Sequence, residues 1–266
     1  QRERRGAAVV LAQDELGQQR LLRVAGVEGD RLDGDLVEAL AKAQSEAQEC
    51  WKHARKNNDF PAFAPALTEV LNLTRQKGEC YGVEDGGEIY DPLLQEYEPH
   101  TTAKDIEKVF TPLRERLSAF IAELTEQGTA PRVDFLHREI PTDKQHAFGE
   151  AVTAKLGFDY KKGRLDTTTH PFCSGFGPGD TRMTTRYALD NFPDAISSTM
   201  HECGHGLYEQ GLPKEGELFG TPLTDAVSLG IHESQSRMWE NMVGRSKAFW
   251  TWALPEANNH FDGAFK

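Results

Sequence analysis

Hydrophobic residues recur every three or four positions along several long stretches of this chain, which predicts a mainly helical fold. The clearest stretch begins at Thr101 and Thr102, which offer an N-cap, and ends at Gly128. Its apolar stripe consists of Ile106, Val109, Phe110, Leu113, Leu117, Phe120, Ile121 and Leu124.

Start and stop residues mark the other helices. Asp59-Phe60-Pro61 ends one helix and starts the next, so the first two helices should form a helical hairpin. Phe148 and Val152 are expected on the inner face of a later helix. The predicted segments are residues 35–56, 60–77, 91–96, 141–156, 193–211 and 222–243.

The pattern changes between residues 158 and 187, where Thr, Tyr and alternating residues predict a small antiparallel β-sheet. We therefore expect one domain, residues 1–266, with a helical region at 33–157 and a sheet followed by further helices at 158–266. The first 30 residues carry only isolated apolar patches.

Composition narrows the classes of function. The 266 residues are 38% hydrophobic, which is enough for a buried core, and the net charge of -12 comes without a basic run, which argues against a nucleic-acid partner. No membrane-spanning stretch or signal peptide is visible, and the four cysteines form no C-x-x-C pair. These features predict a cytoplasmic protein with reduced thiols and no membrane partner.

The most specific chemistry lies in the H-E-x-x-H pattern of His201, Glu202 and His205. Helical positions i and i+4 share one face, so the two imidazoles can hold a metal ion while Glu202 acts as a general base. The extended H-E-x-x-H-x-x-G-x-x-H pattern fails, because Tyr208 and Gly211 stand where Gly and His would be needed.

A third ligand is therefore expected from the next helix, and Glu233 stands 233 - 205 = 28 residues after His205. The alternative to metal ligation by Glu233 is an exposed ion pair with Arg237. We favour ligation because Ile231 and Trp239 suggest that this helix is buried. The fallback ligands are Glu209, Glu215 and Glu217.

Several segments, in order, make the chain resemble the carboxypeptidase Taq family of H-E-x-x-H metallocarboxypeptidases. The likeness covers about residues 33 to 254. It is carried by His170-Pro-Phe172, by Asp180-Thr-Arg-Met-Thr184 as D-x-R-x-T, by His201-Glu-Cys-Gly-His205 and by His232-Glu-Ser-Gln235, with upstream support from Asn58-Asp-Phe60, Phe63-Ala-Pro65, Tyr90-Asp-Pro-Leu-Leu94 and Glu96-Tyr-Glu-Pro99.

This resemblance implies a zincin-like, groove-bearing fold with the sheet beside the groove, a homodimer, and stepwise removal of C-terminal residues from peptides. It assigns His201, His205 and Glu233 as ligands of one Zn²⁺ per chain, and Glu202 as the catalytic carboxylate. The family's I-R-x-x-A-D and G-x-x-Q-D-x-H-W patterns have no match before Lys266. We therefore expect a chain truncated at its C-terminus, and also at its N-terminus.

Candidates for substrate contact follow from the chemistry. A terminal carboxylate needs an arginine, for which Arg182 and Arg186 are available, although both could instead pair with Asp180 or Asp190. Thr184 could line the groove on an edge strand, and His232 or a tyrosine could stabilise the oxyanion. His170 and Phe172 are expected to support the metal helix.

Two other functions stay open. A zinc endo- or oligopeptidase would use the same ligands, because the ligand set does not determine which end of a peptide is cut. A zinc-binding fragment without hydrolytic activity is the alternative from another class, given the absent C-terminal patterns.

Overall fold

The computed structural model describes residues 32–217, 219–221 and 224–265. The apolar patches at residues 9–11 and 21–22 lie outside the described residues, as does the predicted helix start at residue 222. The chain forms two compact units, Gln1–Gly128 and Thr129–Lys266. None of the described helices is both long and apolar enough to cross a membrane.

The first unit contains the predicted helical hairpin. Helices α1 (Gly34–Asn57) and α2 (Phe60–Tyr81) pack against each other, and the left-handed Asn58 ends the first. The Asp59 side chain then caps α2 by accepting the Ala62 N–H. A short helix α3 (Tyr90–Leu94) packs on α2, so all three predictions are confirmed with small shifts in their ends.

Helix α4 (Ala103–Gln127) begins with a capping box between Thr102 and Asp105, in agreement with the prediction. None of its residues is buried, and apolar side chains such as Val109 and Phe110 remain 63% and 57% exposed. The periodicity therefore correctly predicts the helix but does not specify what it packs against.

The second unit carries the remaining elements. They are a 3₁₀ turn (Asp134–His137), helix α5 (Thr142–Leu156), strands β1 (Gly163–Thr167), β2 (Cys173–Gly175) and β3 (Thr181–Thr185), helices α6 (Phe192–Gly211) and α7 (Leu229–Arg237), a π-helical turn (Met238–Val243) and helix α8 (Lys247–His260). Helix α5 packs on α6 and α8 within this unit.

The mainly α fold class with a small sheet is confirmed, but the sheet is mixed and not wholly antiparallel. Its order is β1-β3-β2, with β3 parallel to β1 and antiparallel to β2. After Thr167 the chain leaves room for one strand and forms β2 at the far edge of the sheet. A tight hairpin then leads into β3, which fills the position between β1 and β2. Local alternation predicts strands, but it contains no information about this crossover.

Helix α6 lies at the centre of the second unit. One side of α6 packs against α5 and α8 in a cluster that includes Phe148, Val152 and Met200, each of which is 1% exposed or less. Another side, through Cys203, joins Phe158 and Met183 beneath the sheet. This packing fixes the helix that carries the H-E-x-x-H residues.

Candidate metal centre

The candidate centre is built on helix α6. Pro193 lies in the first turn of this helix, and Leu212 caps its C-terminal end. His201 and His205 face one direction from consecutive turns, with ring centroids 5.0 Å apart. Glu202 is 5% exposed and lies beside them. The three residues of the predicted pattern therefore share one pocket.

Helix α7 approaches α6 very closely because small residues meet at the contact. A Cβ atom placed on Gly204 would lie 2.5 Å from Ser236 Cα and 2.7 Å from the Gln235 carbonyl oxygen. Ser236 is fully buried. Only glycine allows this approach, which sets the distance between the histidines and the residues of α7.

Glu233 extends from α7 toward both histidines. Its Oε2 atom lies 3.5 Å from His201 Nε2 and 3.3 Å from His205 Nε2. One donor atom from each of the three residues lies within 4.8 Å of the other two. The predicted ligand set is thus brought together, with the donor chemistry that zinc accepts.

The two oxygens of Glu233 make different contacts. Its Oε1 atom accepts a hydrogen bond from Arg237 Nε at 2.9 Å, while Oε2 faces the histidines. The reason given for favouring ligation was wrong, because Ile231 is 45% exposed. The helix also begins at Leu229 and not near 222, because Ser228 is extended and its side chain caps the Ile231 N–H.

Burial strongly affects the ionisation of this centre. The pKa of Glu202 is raised to about 8, chiefly by burial and secondarily by the carboxylates of Glu233 and Glu240. The pKa of His205 is lowered to about 4, chiefly by burial and by its histidine neighbours. Near neutral pH His205 is therefore a neutral imidazole, the form that binds metals.

These groups border a cavity of about 560 Å³. Its lining includes both histidines, Glu202, Glu233 and Cys173 of β2. Among the described residues β2 is an edge strand, and its Cys173 lines the same cavity as His201, His205 and Glu233.

Two predicted substrate residues lie elsewhere. Arg182 forms a two-pronged ion pair with Asp180, at 2.9 and 2.8 Å, and is not part of the cavity lining. Thr184 lies on the central strand, and its hydroxyl bonds to the backbone of Phe172 at 2.9 and 3.1 Å. The expectation of an edge strand at Thr184 was wrong, because β1 and β2 occupy both sides of β3.

Other candidates lie at the cavity in unexpected roles. Arg186 lines it but pairs with Asp194, at 3.0 Å, and not with Asp190. His170 and Phe172, which were expected to support the metal helix, form part of the cavity wall. The fallback ligand Glu209 bonds to His232 Nε2 at 3.0 Å, and Glu215 and Glu217 lie outside the cavity lining.

His232 has both ring nitrogens engaged. Its Nδ1 lies 2.6 Å from His205 Nδ1, and its Nε2 faces Glu209. This arrangement favours a role behind His205 over direct donation to a substrate. Glu240, which the sequence did not single out, lies 3.0 Å from His201 Nδ1. The sequence signal for Glu240 was its position three residues after Arg237, a spacing typical of an ion pair on a helix.

Comparison with known proteins identifies the family. A family profile described as carboxypeptidase Taq (M32) metallopeptidase matches residues 7–266. The chain belongs to this M32 family. Thermostable carboxypeptidase 1 of Thermus thermophilus is 45% identical over 233 residues, which cover 85% of this chain and 45% of the relative. Carboxypeptidase 1 of Bacillus subtilis is 38% identical over 207 residues, which cover 78% and 40%.

Solved M32 structures share the fold. The structure described as "BsuCP Crystal Structure" matches with a TM-score of 0.85 at 33% identity, covering 95% of this chain and 49% of that one. The M32 carboxypeptidase from Deinococcus radiodurans R1 matches with a TM-score of 0.77 at 36% identity, covering 93% and 48%. The chain thus spans about half the length of these solved M32 relatives, and less than half of the curated ones.

Proposed function

We propose that this chain carries the catalytic centre of a zinc-dependent metallocarboxypeptidase that releases C-terminal residues from peptides. The observation that carries the proposal is the convergence of His201 Nε2, His205 Nε2 and Glu233 Oε2. Tetrahedral zinc with bonds of about 2.0–2.2 Å needs ligand atoms about 3.3–3.6 Å apart. The two distances to Glu233, 3.5 and 3.3 Å, match this requirement.

In the proposed reaction Glu202 handles the proton. When bound, zinc supplies a water of lowered pKa and polarises the scissile carbonyl. The Glu202 carboxylate accepts a proton from the attacking water and then delivers it to the departing amine. Glu202 is buried in the wall of the cavity that the candidate ligands line, so its carboxylate can reach a water bound there.

Substrate binding is proposed along β2. An extended peptide can add to an exposed strand edge through backbone hydrogen bonds. Cys173 of β2 lines the same cavity as Glu202, so a peptide paired with this edge would pass the catalytic carboxylate. Arg186, which lines the cavity, is a better candidate for contacting a substrate carboxylate than Arg182.

One observation favours the endo- or oligopeptidase alternative. Both arginines of the described cavity lining already pair with acidic residues, Arg186 with Asp194 and Arg237 with Glu233. A terminal carboxylate would have to compete for them. Exopeptidase activity therefore requires either that competition or an anchor from outside this cavity lining.

The remaining parts of the proposal are one zinc ion per chain, a homodimer and a cytoplasmic location. The four free cysteines are compatible with a reducing compartment. Light scattering of the purified protein tests the dimer, and cell fractionation tests the location.

Hydrolysis of matched peptides tests the function. The zinc-loaded chain should release free amino acids from a peptide with an unblocked C-terminus and leave the C-terminally amidated peptide intact, as followed by mass spectrometry. Internal cleavage of both peptides would favour the endopeptidase, and cleavage of neither, with zinc bound, would favour the inactive fragment. Glu202→Gln is the control, and we expect it to retain zinc while hydrolysis falls by at least about 10²-fold.

A further inference from the structure

The two metal-facing histidines make contacts on their far sides that the proposed chemistry does not use. A histidine binds a metal through one nitrogen, and the hydrogen bond of the other nitrogen determines its tautomer and orientation. Here the Nε2 atoms face Glu233, so the Nδ1 atoms are the ones available to supporting residues.

His201 is supported directly by Glu240. Glu240 Oε2 lies 3.0 Å from His201 Nδ1, and the Glu240 side chain is only 13% exposed. Arg237 Nη1 at 3.2 Å and Arg245 Nη2 at 3.5 Å stabilise its negative charge. A carboxylate only accepts hydrogen bonds, and Glu240 at 3.0 Å lies nearer to His201 than Glu233 at 3.5 Å, so Glu240 favours a proton on Nδ1 and leaves the Nε2 lone pair free for a metal ion.

A π-helical turn, Met238–Val243, carries Glu240. Such turns are rare and frequently mark functional sites, because the wider turn gives up regular helical hydrogen bonding. Arg237, at the end of α7, bonds to both Glu233 Oε1 and Glu240 Oε2. One guanidinium thus connects the metal-facing carboxylate with the carboxylate behind His201.

His205 is supported indirectly. His232 Nε2 lies 3.0 Å from Glu209 Oε1, so a proton on that nitrogen satisfies the carboxylate. His232 Nδ1 is then a bare acceptor, and it lies 2.6 Å from His205 Nδ1. His205 Nδ1 therefore donates its proton to His232 Nδ1, which leaves the His205 Nε2 lone pair free for a metal ion held between it and Glu233.

We propose that Glu240, and the pair His232 and Glu209, are positioning residues that hold the two histidines as Nδ1–H tautomers with Nε2 directed at the metal. This inference rests on the proposed function, because it assumes that these histidines are ligands. It assigns His232 a place behind His205 in addition to the cavity wall. Each ligand histidine then depends on a different acidic residue, one on the π turn and one on α6.

Metal affinity gives the first test, by competition with a chromogenic zinc chelator. Glu240→Ala and Glu209→Ala should each bind zinc about 10- to 100-fold more weakly than the unmodified chain. Glu240→Gln and Glu209→Gln should recover most of the loss, because an amide oxygen still accepts the hydrogen bond. Glu256→Ala, on the exposed face of α8, is the matched control and should bind zinc normally.

The imidazole ¹⁵N resonances of the metal-free protein give the second test, which depends on neither zinc nor turnover. Glu240→Ala should release only His201 from the Nδ1–H tautomer, whereas Glu209→Ala should alter only His205 and His232. If Glu240→Ala does not fold, Glu240→Asp replaces it. That variant keeps the charge but withdraws the oxygen from Nδ1, so the same changes are expected.

The outcomes separate the two proposals. Unchanged tautomers together with unchanged zinc affinity in the folded alanine variants would overturn the positioning role. Failure of the unmodified chain to bind zinc would instead overturn the proposed function. The tautomer measurement would still test whether the two acidic residues hold the rings.

Discussion

The carboxyl group of Glu202 is buried next to other acids, and this position makes the metal-free protein sensitive to pH. Its pKa rises from an ordinary value of 4.5 to about 8 on folding. The folded chain therefore keeps a proton that the unfolded chain releases above about pH 4.5. The stability that this proton contributes is lost progressively as the pH rises from about 4.5 to about 8.

Glu202→Gln should remove this dependence, since an amide does not ionise. In the presence of a chelator, we expect the variant to be more stable than the unmodified chain at pH 8, by on the order of a few kcal/mol, and the difference to shrink toward pH 5. Urea unfolding at pH 5 and at pH 8 measures this difference in stability. Equal differences at the two pH values would mean that Glu202 ionises normally in the folded protein.

Glu233 illustrates how far single residues could be predicted. Its spacing after His205 correctly singled out the acid that approaches both histidines, but the expected apolar burial of its helix was wrong. The contact is made by Gly204 and Ser236, which a hydrophobic pattern does not detect. Glu240 was missed because its spacing from Arg237 indicates an ion pair but does not connect it with His201.

Glu233→Ala should lower zinc occupancy well below one per chain, because two imidazoles alone hold the ion weakly. Glu215→Ala is the control, since Glu215 lies outside the cavity lining. Elemental analysis after dialysis measures both variants. Full occupancy in Glu233→Ala would assign the third ligand to another residue.

Among the elements, the close approach of α6 and α7 determines the geometry of the centre. The start of α6 could be predicted from Pro193, and its end from Gly211. The strand order could not be predicted, because the crossover that places β2 at the edge depends on long-range packing. That crossover positions an edge strand, and not Thr184, beside the cavity.

Gly204→Ala should separate α6 from α7, because the new methyl group would meet backbone atoms of Ser236 and Gln235. We expect a loss of stability of about 1–3 kcal/mol and weaker zinc binding, as Glu233 moves with α7. Gly211→Ala, in the same helix with no neighbouring atom within 4 Å of its Cβ, is the matched control. Thermal unfolding and chelator competition measure both effects. Equal behaviour of the two variants would contradict the proposed role of the contact.

For the whole molecule, all residues of the candidate centre lie in the unit Thr129–Lys266. The periodicity predicted the helices of the other unit well. It could not predict that α4 buries none of its apolar stripe, because a pattern identifies a face but not the surface that covers it.

Residues 129–266, produced alone, should therefore keep their helical content and bind zinc as tightly as the 266-residue chain. Circular dichroism and chelator competition measure these properties. The internal core around Phe148 and Met200 supplies the physical reason, because it lies wholly within this unit. A folded unit that no longer binds zinc would show that the first unit contributes to the site.

The proposed metal centre is tested most directly by anomalous diffraction at the zinc edge from crystals of the zinc-loaded protein. We predict one peak per chain, about 2.0–2.2 Å from His201 Nε2, His205 Nε2 and Glu233 Oε2. A peak bound by other residues, or no peak between α6 and α7, would contradict the account.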